Sequence, residues 1–314
     1  MDGSTTQVTN WLNHFGAAYF RVDKEDVYKI RNIIISNNNF EFQVQFSDRP
    51  VLNLNEIRAV WHRRGWLSLD MLSLDNWANS DLIRDTKRHL LQEKNVLVDF
   101  FDFILKEKPH IGRGKLGQIN KLIVLQKAAA LGLSIPFTQI TTKSKNIQVE
   151  ENIITKSISE NYNVSTDGVD YTSYTESIDK KDLKSDFFPT LFQVKEHKEA
   201  DIRTFYLCGK FYSMAILSQK NKQTEVDFRK YLRAEQGLTR YVPFKLPTII
   251  EDKVRLLMAD LELETGSIDF ILNSKGDFTF LEINPVGQFA MTSYPCNYNI
   301  ERDIAKKLIN LSTI

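Results

Sequence analysis

Gly266-Ser267-Ile268-Asp269-Phe270-Ile271-Leu272, the turn Ser274-Lys275-Gly276, and then Phe278-Thr279-Phe280-Leu281-Glu282-Ile283-Asn284-Pro285 form two apolar runs of strand length joined by a glycine turn. The pattern predicts strands over Ser267–Leu272 and Phe278–Ile283. Side chains alternate along a strand, so Glu282 and Asn284 share a face, and an antiparallel neighbour can bring Asp269 beside them. Any one of these residues alone would suit a solvated strand edge. Three together on otherwise apolar strands are costly to bury without a partner. Two carboxylates and an amide oxygen form a hard-oxygen donor set suited to Mg²⁺.

Working back from this hairpin, three basic residues stand out. Arg203 sits in the strand Asp201-Ile202-Arg203-Thr204-Phe205, and a guanidinium among apolar neighbours needs an anion. That anion is either a ligand or Asp201 on the same strand face. Lys121 lies in the first turn of a predicted helix, Asn120 to Gly132, and Lys156 closes Ile153-Ile154-Thr155-Lys156; either lysine alone would be read as solvated. Further strands are predicted at Thr190–Val194, Ile202–Leu207 and Phe211–Leu217, with helices near 248–264 and 299–311. Residues 157–181 are polar and poor in aliphatics, a loop or ragged hairpin.

The N-terminal third alternates differently. A helix is predicted over 5–16, a strand over 17–22, a hairpin from Ile33–Ser36 to Phe40–Phe46 around Asn37-Asn38-Asn39, a strand near Ala59-Val60-Trp61, and a charged helix over 79–106. His110-Ile111-Gly112-Arg113-Gly114-Lys115-Leu116-Gly117 is neither GxGxxG nor a Walker loop and reads as an interdomain connection.

A length of 314 residues suits two or three domains, and 42% hydrophobic with 26% charged residues is the balance of a soluble globular chain. A net charge of +1 excludes bulk capture of nucleic acid. No apolar stretch reaches membrane-helix length, and MDGSTTQVTN has no secretion-signal pattern. The two cysteines, Cys208 and Cys296, are far apart and belong to no metal motif. The expectation is a cytoplasmic protein without nucleic-acid or membrane partners. No Ser/His/Asp or Cys/His nucleophilic set is visible, and the five histidines, His62, His110 and His197 among them, are read as structural or solvated.

The order of these pieces resembles the ATP-grasp superfamily over residues 115–295. The carriers are Asn120-Lys121, Gly132-Leu133-Ser134-Ile135-Pro136-Phe137-Thr138, Lys156, Phe192-Gln193, Asp201-Ile202-Arg203, Asp269 and Glu282-Ile283-Asn284-Pro285. Within it the chain is most similar to graspetide (microviridin-type) peptide maturases of the grasp-with-spasm subgroup. That likeness rests on Ser4-Thr5 through Trp11-Leu12, Phe20-Arg21-Val22, Trp61-His62-Arg63-Arg64-Gly65, Asp227-Phe228-Arg229, Pro243-Phe244-Lys245-Leu246-Pro247 and Asn284 through Phe289. Two departures stand out: Val194-Lys195 replaces an acidic and an aromatic residue after the hinge Gln, and the apolar strand expected before the first helix is not seen.

The resemblance implies an α/β (α+β) ATP-grasp fold. It divides into an N-terminal domain over 1–115, a central subdomain over 116–190 and a C-terminal subdomain over 191–314. It implies that ATP is held by Lys121, Lys156, Gln193, Val194, Glu196 and Arg203, and Mg²⁺ by Asp269, Glu282 and Asn284. Arg203 would reach the transferred phosphoryl group, and the 157–181 segment would cover the phosphates. Arg63, Arg64, Arg229 and Arg240 are candidates for an acidic peptide. The implied reaction activates Glu or Asp side chains of a ribosomal precursor peptide, with leader and acidic core, as acyl phosphates. Closure onto Ser/Thr or Lys then gives ω-ester or ω-amide links. A homodimer is also implied, and Gln219–Arg233 is a candidate leader-docking segment. Two alternatives stand beside this reading: a glutamate-ligase-like enzyme acting on an amino acid or protein tail, and a non-catalytic, nucleotide-regulated peptide-binding module.

Overall fold

The computed structural model describes residues 2–23, 25–63, 67–70, 81–112, 119–149, 152–159, 163–166, 169–172, 175–217 and 240–313. Arg64, Arg229, most of the glycine-rich connection and the 219–233 segment lie outside the described residues. The chain forms two compact units, Met1–Gly117 with Asn299–Ile314, and Gln118–Tyr298.

In the first unit the elements run α1 (Gly3–His14), β1 (Val27–Ile35), β2 (Phe40–Phe46), β3 (Leu52–Asn53), β4 (Val60–Trp61), β5 (Ser68–Leu69), α2 (Asp81–Lys106) and β6 (His110–Ile111). The hairpin β1–β2 pairs antiparallel across the polar turn, where Asn39 N–H donates to Ser36 Oγ at 3.0 Å. One sheet has the order β3-β2-β1-β5, and β4 and β6 pair in parallel. Tyr28, Phe42, Phe46 and Phe101 are buried together, with Phe101 of α2 stacked on Tyr28 at 4.6 Å between ring centroids. Each such ring contributes roughly 1.5–3 kcal/mol by burial.

The strand expected over 17–22 does not form. Residues 17–23 carry no regular secondary structure among the described residues, and Arg21 uses its side chain as a bracket. Its Nη1 donates to Thr6 Oγ1 at 2.9 Å, and its Nη2 reaches Asp23 Oδ1 at 2.8 Å. Side-chain anchoring has replaced ladder pairing there. A terminal helix, residues 300–312, packs against α1 in this first unit, although the sequence reading counted it with the C-terminal subdomain.

The second unit holds α3 (Lys121–Ala130), β7 (Thr138–Lys143), β8 (Ile153–Thr155), β9 (Asn163–Thr166), β10 (Val169–Thr172), β11 (Glu176–Ile178), β12 (Asp186–Val194), β13 (Ala200–Leu207), β14 (Lys210–Leu217), β15 (Arg240–Phe244), α4 (Thr248–Asp260), β16 (Thr265–Leu272), β17 (Phe278–Asn284) and α5 (Ala290–Cys296). The terminal helix is therefore α6 (Ile300–Ser312). Two sheets carry the unit, ordered β11-β8-β12-β7 and β15-β14-β13-β16-β17. The polar 157–181 segment contains the two-stranded hairpin β9–β10. Asn120 caps α3, its Oδ1 accepting from Leu122 N–H at 2.9 Å.

One face of the five-stranded sheet is covered by α3 and α4. Ile202, Ile268, Phe270, Phe280 and Ile283 lie in one core with Val124, Leu125, Val254 and Leu257. By alternation, Arg203, Asp269 and Glu282 point to the other face. In a regular strand Phe280 and Glu282 would share a face. Here they do not, because Asp269 pairs with Glu282 while the next residue, Phe270, pairs with Phe280. Leu281 is the extra residue of a β-bulge that lets Phe280 enter the core and Glu282 leave it. No helix among the described residues is long and apolar enough to cross a membrane.

Candidate active site

The register of the five-stranded sheet builds the site. Arg203 on β13 lies opposite Asp269 on β16, and Asp269 lies opposite Glu282 on β17, so three charged residues form one row across three strands. Ser267 and Asn284 form the next register pair along the same face. Arg203 Nη1 stands 3.4 Å from Asp269 Oδ2, with the two side chains only 8% and 16% exposed. Lys121, the first residue of α3, places Nζ 3.4 Å from Glu282 Oε2. Each carboxylate of the row therefore has its own cation.

Arg203 does not take Asp201 as its counter-ion, the alternative its strand position allowed. Asp201 instead bonds Lys198 at 2.9 Å. Arg203 Nε is buried and has no hydrogen-bond partner among the described residues. A guanidinium held this way retains donor capacity for a further anion.

A cavity between the two sheets collects most of the expected residues. Lys156, Gln193, Val194, Glu196, Arg203, Asp269 and Glu282 line it. Lys121 reaches this wall through Glu282. Asn284 is not among the lining residues; its Oδ1 accepts the Val286 N–H at 3.1 Å, and Gly287 N–H bonds its carbonyl at 3.0 Å. A carbonyl oxygen has two lone pairs, so this turn orients Asn284 without exhausting it as a ligand.

At the Gln193–Glu196 edge several hydrogen-bonding groups are already paired. Gln193 is buried and donates from Nε2 to Thr138 Oγ1 at 2.7 Å. The N–H groups of Val194 and Lys195 are committed to Phe137 O at 3.3 Å and Asn152 O at 2.7 Å. Burial holds the Glu196 carboxyl above the usual carboxylate range, and His197 opposes that shift.

Sequence reasoning missed the apolar walls, Ile154, Ile216 and Ile271, and the Lys198–Asp201 pair. Their strands were legible, but which face met a cavity depended on register. Among the described residues no group of three or more His, Cys, Asp or Glu side chains converges. The candidate donor set is therefore Asp269 and Glu282 with the Asn284 amide.

Of the proposed substrate arginines, Arg63 and Arg240 are among the described residues. Arg63 lies in the first unit, where its Nε stands 3.4 Å from Asp2 Oδ2. Arg240 is exposed at the start of β15, opposite Leu217. Beside Arg63, burial pushes the His62 imidazole down to about 4, with the nearby His110 adding to the shift. The folded state thus resists a proton that the unfolded chain accepts near its ordinary value of about 6.5. Stability is full above that value and falls as pH drops from about 6.5 towards about 4, by up to about 2 kcal/mol at pH 5. Urea midpoints at pH 7 and pH 5 should show a drop in wild type that His62→Gln largely removes. An equal drop in both proteins would assign the loss elsewhere.

No protein-family model matches the chain, and no curated protein matches it. Solved structures do match. The macrocyclase MdnC bound with precursor peptide MdnA, from Microcystis aeruginosa MRC, is similar at 24% identity, TM-score 0.74, over 99% of this chain and 96% of that one. A RiPP-associated ATP-grasp ligase of Chryseobacterium gregarium, in complex with ADP and a leader and core peptide, is similar at 20% identity, TM-score 0.76, over 98% and 92%. The ATP-grasp ligase PsnB, complexed with minimal precursor, Mg and ADP, is similar at 17% identity, TM-score 0.66, over 100% and 96%. The chain shares the fold of these ATP-grasp ligases.

Proposed function

We propose that this chain is an ATP- and Mg²⁺-dependent peptide ligase that activates Glu or Asp side chains of a ribosomal precursor and joins them to Ser/Thr or Lys as ω-ester or ω-amide links. The observation that carries the proposal is the row Arg203–Asp269–Glu282, which faces a cavity whose opposite wall is the Gln193–Glu196 edge. The fold likeness to ligases whose structures hold precursor peptide and ADP supports the substrate class.

The residues fit a nucleotide with its cation. Two opposed carboxylates and an oriented amide oxygen suit Mg²⁺, and the uncommitted Arg203 Nε suits a phosphoryl oxygen. When bound, Mg²⁺ would neutralise charge on the transferred phosphoryl group. The residues of the chain orient and stabilise. Lys121 and Lys156 offer ammonium groups to the phosphates, and Arg203 is fixed by Asp269 so that its remaining donors point at the reacting end. Ile154, Ile216 and Ile271 exclude water from the base. The substrate carboxylate attacks the γ-phosphorus, ADP leaves, and a hydroxyl or amine then displaces phosphate from the acyl phosphate. Such chemistry asks for positioning and electrostatics rather than a protein nucleophile.

Arg63, Arg64, Arg229 and Arg240 are proposed to meet the acidic peptide. The two sheets of the second unit support reading 116–190 and the β-sheet portion of 191–314 as the halves of a clamp. Neither Cys208 nor Cys296 is disulfide-bonded, which supports a cytoplasmic location, and a homodimer is the proposed assembly.

The test is ADP release with Mg²⁺-ATP and an acidic precursor peptide, read beside intact peptide mass. Peptide-dependent ADP with loss of one water per ring is the expected result. ADP release with free amino acids alone would transfer the assignment to the glutamate-ligase branch. Nucleotide binding without turnover would leave a peptide-binding module.

A further inference from the structure

We infer that Lys121 is a built-in competitor for the metal cation, so that the carboxylate row accepts a divalent ion only when a polyphosphate draws the lysine away. The inference rests on the nucleotide-site reading above and concerns how that site is loaded.

Three observations carry it. Lys121 Nζ is 3.4 Å from Glu282 Oε2, and Glu282 is the cross-strand neighbour of Asp269, so the ammonium lies against one of the two carboxylates a cation needs. Asp269 is likewise held by Arg203 at 3.4 Å. Counting these four side chains, two negative charges are matched by two positive ones, and little net charge is left to attract a divalent cation. The third observation is where Lys121 sits. It is the first residue of α3, whose first turn contains no acidic residue. The positive end of a helix dipole disfavours a lysine, which therefore owes its place to Glu282. The same helix end favours an anion.

These facts define an exchange. In the free protein the ammonium satisfies Glu282. A polyphosphate arriving at the α3 N-terminus offers a more concentrated negative charge, and Lys121 moves from carboxylate to phosphate. Glu282 then joins Asp269 in facing a cation that the phosphates also hold. No covalent bond changes. Nucleotide and metal consequently bind with positive coupling, and metal alone binds poorly, because only a ligand with differential affinity for the two arrangements shifts between them.

The experiment is Mn²⁺ binding followed by EPR on the full chain, with and without ADP, in wild type, Lys121→Met, Lys121→Arg and Glu282→Gln, each checked for folding by circular dichroism. Wild type should bind Mn²⁺ weakly alone and more tightly with ADP. Lys121→Met, of similar length but neutral, should bind Mn²⁺ without nucleotide at least about tenfold more tightly than wild type. Its coupling to ADP should shrink, whereas Lys121→Arg should behave as wild type and Glu282→Gln should lose Mn²⁺ under both conditions. Equal or weaker nucleotide-free Mn²⁺ binding in a folded Lys121→Met overturns the inference while leaving the nucleotide site standing. Absence of ADP-dependent Mn²⁺ binding in wild type overturns both.

Discussion

Asp269→Asn should abolish peptide-dependent ADP release, by roughly 10³-fold or more, while leaving the secondary structure intact. Asp269 occupies the middle of the charged row, between Arg203 and Glu282. The amide keeps the shape and can still accept a hydrogen bond from Arg203, but it removes one of the two carboxylates offered to a cation. It also leaves a buried arginine, its side chain only 8% exposed, without its opposite charge. The four charges Arg203, Lys121, Asp269 and Glu282 then sum to +1 instead of zero, which repels a divalent ion from the proposed nucleotide site. Removing one such electrostatic element commonly costs about 10²–10³ in turnover, and here a ligand and a charge balance are lost together. The measurement is coupled ADP release with the precursor peptide, beside a thermal melt. A variant that keeps a tenth of wild-type turnover would remove Asp269 from the site. The melt should fall as well, because breaking a buried pair leaves an uncompensated charge, with losses of about 3–5 kcal/mol in comparable cases.

Gly112→Ala should destabilise the first unit by roughly 3–5 kcal/mol, combining left-handed strain with a steric clash. Gly112 has φ +81°, and a Cβ there would stand 2.3 Å from the His62 backbone oxygen. Yielding is difficult, because the neighbouring His62 N–H bonds Ile111 O at 2.8 Å and holds the parallel β4–β6 pair. Backbone meets backbone, so no side-chain rotation relieves it. Gly16 is the control: its φ is +69° and nothing lies within 4 Å of a Cβ, so Gly16→Ala should cost only about 1 kcal/mol. Denaturant titrations of the two variants separate strain from clash. If they lose the same stability, the contact with His62 is not what demands glycine.

Much of this architecture could be read from the residues. The strands around Asp269 and Glu282 announced themselves by apolar runs and a glycine turn, and α3 by its Asn120 cap and Gly132 stop. Those are local signals. What escaped was non-local. Asp201 and Asp269 were both available to Arg203, and only sheet register decided for Asp269. The 17–22 segment has strand composition, yet Arg21 finds side-chain partners in place of a strand neighbour. The terminal helix α6 belongs with residues nearly the whole chain away, which no window of sequence can show. The pairing of Arg63 with Asp2, which joins a loop to the first helix, was likewise not legible from sequence spacing.

The extra residue at Leu281 uncouples chain length from side-chain direction. Elsewhere on β17, adding or removing one residue would invert every following side chain and send Glu282 into the apolar core. At the bulge, removing Leu281 would bring Phe280 and Glu282 into direct succession, and plain alternation would still point them to opposite faces. Length variation by a single residue can therefore occur at this point of the hairpin without exchanging its wet and dry sides. Related chains that differ in spacing between the apolar and acidic members of this strand can still be solving the same geometric problem.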